Sequence, residues 1–136
     1  MLFSSCKGPQ YSLESKPETY ISYGSGGGFS GMVETVFLFP NGQMFETNSL
    51  MGMSSSLPSI KKKKAKALFK ELEESGFLSF EMNEPGNMYY FLTMMREDGT
   101  EHRVTWGYHG TAVPGDLAQI INKLKALQQN EQTYSH

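Results

Sequence analysis

Among its 136 residues the chain has one cysteine, Cys6, so no disulfide can close within it and no multi-cysteine zinc site can be assembled. No apolar run approaches the roughly 20 residues that a membrane-crossing helix needs. Neither sign of charge is in excess: 12 basic and 14 acidic residues leave a net charge of −2. A nucleic-acid-binding chain ordinarily carries a basic face, so nucleic acid is not an expected partner. The three histidines, His102, His109 and His136, fall on a strand, in a loop and on the tail, with no partner at a metal-ligand interval. Ser25 stands in Tyr23-Gly24-Ser25-Gly26-Gly27, which lacks the spacing and the strand-to-helix turn of a nucleophile elbow. The expectation is therefore a protein without catalytic residues, cofactor or metal.

What the chain does have is glycine, five of them between Tyr20 and Phe39: Gly24, Gly26, Gly27, Gly28 and Gly31. A folded protein keeps glycine at such density where φ must be positive or a neighbour must come close. The reading is a first strand over 19–23, a glycine loop over 24–31 with Phe29 as its single large side chain, and a second strand over 32–39. Residues 26–31 match G-x-G-x-x-G, but a strand follows where a dinucleotide fingerprint requires a helix. A kinase loop would have the strand-to-strand setting. The chain, however, has no Val-Ala-Ile-Lys strand, catalytic loop or Asp-Phe-Gly.

Asn41-Gly42 predicts a type I′ hairpin, returning as a strand over 44–47. Residues 48–58 read as a loop whose Leu50, Met51 and Met53 either fold onto the core or meet a partner. The nine methionines as a whole divide between the same two roles, core filler and adaptable contact surface. A helix over 59–75 follows from Ile60, Ala65, Leu68, Phe69 and Leu72. Gly76 supplies its left-handed end and Phe77 the accompanying apolar contact. Its charges oppose the macrodipole: Lys61, Lys62, Lys63, Lys64 and Lys66 crowd the first half, and Glu71, Glu73 and Glu74 the last turns. That basic patch reads as a solvated face, or as a docking patch for an acidic partner or an anionic membrane surface. Beyond a turn at 84–87, strands over 88–96 and 101–106 flank Asp98-Gly99. Tyr89, Tyr90 and Phe91 are contiguous, so alternation sends them to both faces, as packing requires and base stacking does not. Pro114 opens the last helix, with the stripe Leu117, Ile120, Ile121, Leu124 and Leu127.

The expected fold is α+β: an antiparallel sheet of four to five strands with two helices on one face, in the order ββ(β)-α-ββ-α. Residues 1–18 form a flexible N-terminal tether, 19–127 a single domain and 128–136 a polar tail.

Gly27-Gly28-Phe29-Ser30-Gly31, the helix end Leu68-Phe69-Lys70-Glu71-Leu72-Glu73-Glu74-Ser75-Gly76-Phe77 and the Asp-Gly hairpin over 89–106 together resemble the emfourin family of small bacterial proteins, over about residues 20–127. Gly26 stands where that family usually has serine. The resemblance implies an α+β domain that inhibits thermolysin-like metalloproteases without covalent chemistry. Only the glycine motif is carried over, so Ser25, Gly26, Gly27, Gly28, Phe29, Ser30 and Gly31 are the partner-binding candidates. Phe29 at the loop tip would enter a partner's pocket or turn inward to plug the core. The chain departs from the pattern in its Met/Ser-rich insert (48–58), its lysine cluster and its start. Separately, Met1-Leu2-Phe3-Ser4-Ser5-Cys6-Lys7 resembles the end of a bacterial lipoprotein signal, without the basic and apolar regions that precede one. That likeness makes Cys6 a lipidation candidate and gives the alternative of an envelope-anchored protein of structural role. If a leader precedes Met1 the location is the cell envelope; otherwise it is the cytoplasm.

Overall fold

The computed structural model describes residues 10–28, 30–50, 52–83, 87–107 and 113–134, for 128–134 the backbone alone. Strands β1 (Tyr20–Gly27), β2 (Glu34–Leu38), β3 (Met44–Asn48), β4 (Met53–Leu57), β5 (Met88–Met95) and β6 (Glu101–Gly107) form one sheet. Helices α1 (Lys62–Glu74) and α2 (Gly115–Tyr134) complete the fold with a 3₁₀ turn at Phe77–Ser79. The sheet order is β4-β3-β2-β1-β5-β6, and every neighbouring pair is antiparallel.

The class is α+β as expected, but the sheet has six strands and not four to five. The added one is β4, Met-Ser-Ser-Ser-Leu, inside the segment read as a loop. Its own sequence carries little β-preference, and β3 supplies a ladder pairing all five of its residues from Met44↔Leu57 to Asn48↔Met53. Strand formation depends on the neighbour as much as on the residue.

Register explains which side of the sheet carries the main core. Ile21 lies opposite Leu38 and Met94, and Tyr23 opposite Val36 and Leu92. These side chains form one buried cluster with Leu68, Phe69 and Leu72 of α1 and Leu117, Ile120 and Leu124 of α2. Both helices therefore cover the same face. α1 begins without help from its first turn: its N-cap Lys61 makes no side-chain cap bond and no acidic residue follows. Lys61, Lys62, Lys63, Lys64 and Lys66 are all exposed, so the start of the helix is held by its buried stripe and not by a cap. At the other end Gly76 adopts φ +88° and Phe77 is fully buried, as the sequence requires. Lys123 of α2 reaches Glu71 of α1 at 2.9 Å, an exposed pair worth at most about 1 kcal/mol.

The first hairpin differs from expectation in its turn. The Phe39 carbonyl accepts from Gly42 N–H at 2.9 Å and Phe39 N–H donates to Gln43 at 3.0 Å. Gly42 has φ +99°, while among the described residues no non-glycine residue has positive φ. This is a three-residue loop, a type I turn closed by a left-handed glycine, and not a type I′ turn. Pro40 sits at the position whose φ near −65° a type I turn needs. Arg96–Gly99 repeats the pattern, with Gly99 N–H on the Arg96 carbonyl at 2.9 Å and Gly99 at φ +86°.

Residues 10–18 and 128–134 carry structure of their own. Tyr11 exchanges hydrogen bonds with the Gln43 amide at 2.8 and 3.1 Å, and its ring meets Phe39 edge-on. Lys16 lies over the Tyr20 and Phe37 rings, on the sheet face away from the helices. α2 continues past Leu127 to Tyr134, because Gln and Glu are polar yet good helix formers.

Candidate functional site

The glycine segment does not loop out where the sequence places it. Gly24, Ser25, Gly26 and Gly27 belong to β1 and pair with β5 through Gly27↔Met88. Aromatic side chains opposite them take the space that a Cβ would fill. Phe91 faces Gly24 and Tyr89 faces Gly26. A Cβ on Gly26 would stand 2.7 Å from the Tyr89 hydroxyl, and one on Gly24 would collide with the Glu34 carbonyl. Cross-strand aromatics compensate in this way for glycines that would otherwise weaken a strand. The bend proper starts at Gly27 and Gly28, with φ +85° and +77°, where Gly28 N–H donates to Asn87 O at 2.8 Å. It is tied to the β3–β4 turn by Val33 N–H on Ser49 Oγ at 2.8 Å and by Ser49 N–H on Val33 O at 2.9 Å.

This end of the sheet carries a cleft of about 400 Å³, floored by Ser25, Gly26, Gly27 and Gly28 and walled by Ser30, Met32, Glu34, Met88, Tyr89 and Tyr90. Met88 is 47% exposed at its rim. A second hollow of about 360 Å³ lies between the sheet and α2, lined by Tyr23, Ser25, Tyr90, Trp106, Ile121 and Lys125 among others. Ser25 and Tyr90 border both. The Lys125 ammonium sits 4.2 Å from the centre of the Tyr90 ring, and Tyr90 stacks at 31° on Trp106. Register runs a row across the sheet through Met53, Asn48, Glu34, Ser25, Tyr90 and Trp106.

Of the residues singled out from sequence, Ser25, Gly26, Gly27, Gly28 and Ser30 therefore meet at one cleft, and Gly31 stands in the bend with nothing near its Cα substituent position. Phe29, Cys6, His109 and His136 lie outside the described residues. The lysine patch belongs to a different region. It starts beside Ile60, whose N–H donates to Gly42 O at 2.9 Å, at the opposite end of β2. His102 is structural: its Nε2 lies 2.7 Å from Phe80 O and its ring meets Phe77 edge-on at 4.9 Å. Among the described residues no three His, Cys, Asp or Glu side chains are grouped to hold a metal. Met32, Glu34, Met88, Tyr89 and Tyr90 were not legible as cleft residues, because only the β1–β5 register brings them to the glycines.

Tyr23 fixes α2 over this region. Its hydroxyl donates to the Leu124 carbonyl at 2.9 Å, and burial, reinforced by the negative charge of Glu46, pushes the phenol well above its ordinary range. The unfolded phenol ionises near pH 10, so this contribution is complete below about pH 10 and is lost as pH rises above it. Tyr23→Phe should cost about 1 kcal/mol at neutral pH for the missing hydrogen bond. Chemical denaturation from neutral to strongly alkaline pH should show wild-type stability falling faster than the variant's, so that the two converge.

No protein-family model matches the chain, and no curated protein matches it.

Proposed function

We propose that the chain is a non-enzymatic protein-binding module whose contact surface is the cleft at the glycine end of the sheet. The observation that carries this reading is the make-up of that cleft. Its floor is Ser25 and the backbone of Gly26, Gly27 and Gly28, and its walls set Met32, Met88, Tyr89 and Tyr90 beside Ser30 and Glu34. Methionine and tyrosine are the side chains that interfaces favour, one for its adaptability and one for large rigid area with a polar tip. The partly exposed Met88 offers an apolar rim. The fitting occupant is an apolar side chain on an extended stretch of a partner protein.

The likeness to emfourins narrows the partner, as a proposal, to a secreted thermolysin-like metalloprotease held without covalent chemistry. The test is to titrate such a protease with the full chain, reading both binding by calorimetry and inhibition of peptide hydrolysis. Met88→Asp puts a charge on the rim without touching the core. It should weaken the complex by at least about tenfold, or 1.4 kcal/mol, and shift thermal stability by no more than about 0.5 kcal/mol. Binding that is unchanged in this variant would place the contact elsewhere; absence of any binding would remove the protease.

A further inference from the structure

The two edges of the sheet are treated differently. Along β6, Thr105 N–H donates to Met82 O at 3.0 Å and Asn83 bridges to Thr105, so an extended segment covers part of that edge. The strand also bears Glu101, His102 and Arg103. Among the described residues no segment from outside the sheet bonds to the backbone of β4. Met53, Ser54, Ser55 and Ser56 are exposed, no charge or proline interrupts the strand, and its five-for-five pairing with β3 leaves no bulge. Folded proteins usually blunt such an edge with charge, proline or a bulge, because its free N–H and C=O groups invite another strand.

We infer that β4 is a self-association edge, which pairs antiparallel with β4 of a second copy about a twofold axis at Ser55. Two identical strands related by a twofold axis normal to the sheet must run antiparallel, and such an isologous contact closes at the dimer. The sequence is self-complementary in that register. Ser55 meets Ser55, the flanking serines meet each other, and Met53 of one copy stands opposite Leu57 of the other. Alternation puts Met53 and Leu57 on the helix-covered face, where Leu57 already packs against the core. Met53, 59% exposed in the single chain, would gain an apolar neighbour at each end of the ribbon. Depending on which residues point outward, the pairing forms about four to six backbone hydrogen bonds. Glu46 does not oppose it. Glu46 lies opposite Ser55 within each copy, so the two carboxylates stand three strand spacings apart, about 14 Å, beyond the screening length of about 8 Å at physiological salt. The product is one sheet running through both copies, with the glycine clefts free.

Sedimentation equilibrium of the full chain, over a series reaching high-micromolar concentration, should show a reversible monomer–dimer equilibrium. Ser55→Lys, which sets two ammonium groups face to face on the axis, should raise the dissociation constant by at least about tenfold while the dilute protein melts as the wild type does. In a Cys6→Ser background, Ser55→Cys should cross-link readily on oxidation. Ser59→Cys, also exposed but far from its own counterpart in this register, should not. A monomer at every concentration overturns the inference. So does a dimer indifferent to Ser55→Lys, cross-linking at position 59 as fast as at 55, or growth beyond two copies.

Discussion

Phe77→Ala should destabilise the protein by about 3–5 kcal/mol, lowering Tm by roughly 10 °C or more, as read by calorimetry or near-ultraviolet circular dichroism. Phe77 is completely buried and sits at the junction of three parts of the fold. It follows the left-handed Gly76 that ends α1, opens the 3₁₀ turn, and meets the His102 ring on β6 edge-on at 4.9 Å. Alanine would leave a cavity that neither α1 nor β6 can close, since the His102 ring is held by the Phe80 carbonyl at 2.7 Å. Phe77→Leu should recover more than half of the loss, because most of the volume returns and only the edge contact is missing. Equal losses in both variants would mean that ring geometry, not volume, is what the site requires.

Gly24→Ala should cost about 2–4 kcal/mol, an uncommon penalty for adding one methyl group. Gly24 is paired on both sides, with Thr35 of β2 and Phe91 of β5. Its added carbon would run into the Glu34 carbonyl and stand 3.2 Å from the Phe91 ring. The ring could turn away; the carbonyl belongs to the backbone of a central strand and could not. Gly31→Ala is the informative comparison. No atom lies within 4 Å of its added carbon, although φ is +71°, so it should show only the backbone strain of about 1–2 kcal/mol. If denaturant melts rank the two the other way, the close approach of β2 to Gly24 is not what demands glycine there.

These two sites mark how far the sequence could be read. Gly76-Phe77 was legible because a helix end is a local event: a periodic stripe, then glycine, then an apolar residue. The stripes of both helices were legible for the same reason. Gly24 to Gly27 were not, since glycine's message is ambiguous until its neighbours are known. It permits a loop, and it also permits a strand whose missing side chains are replaced by Tyr89 and Phe91 from 65 or so positions later in the chain. β4 was missed for a related reason, its ladder being supplied by β3. The turn at Asn41-Gly42 shows a third kind of error. The dipeptide marked a reversal correctly, but the loop is three residues long and closes on a left-handed Gly42, as the second hairpin closes on Gly99 without a proline. Likewise the cleft is a product of pairing register, which brings Met88 beside Gly27, and no local pattern announces it.

The docking of Tyr11 on Gln43 and Phe39 has a practical corollary. Tyr11 is held at the corner where β2 turns into β3. The cleft occupies the far end of β1, whose eight residues at about 3.3 Å each span roughly 25 Å. A bead or a fused domain attached directly at Tyr11 would thus hold the molecule by its heel, at the end of the sheet away from the glycine cleft.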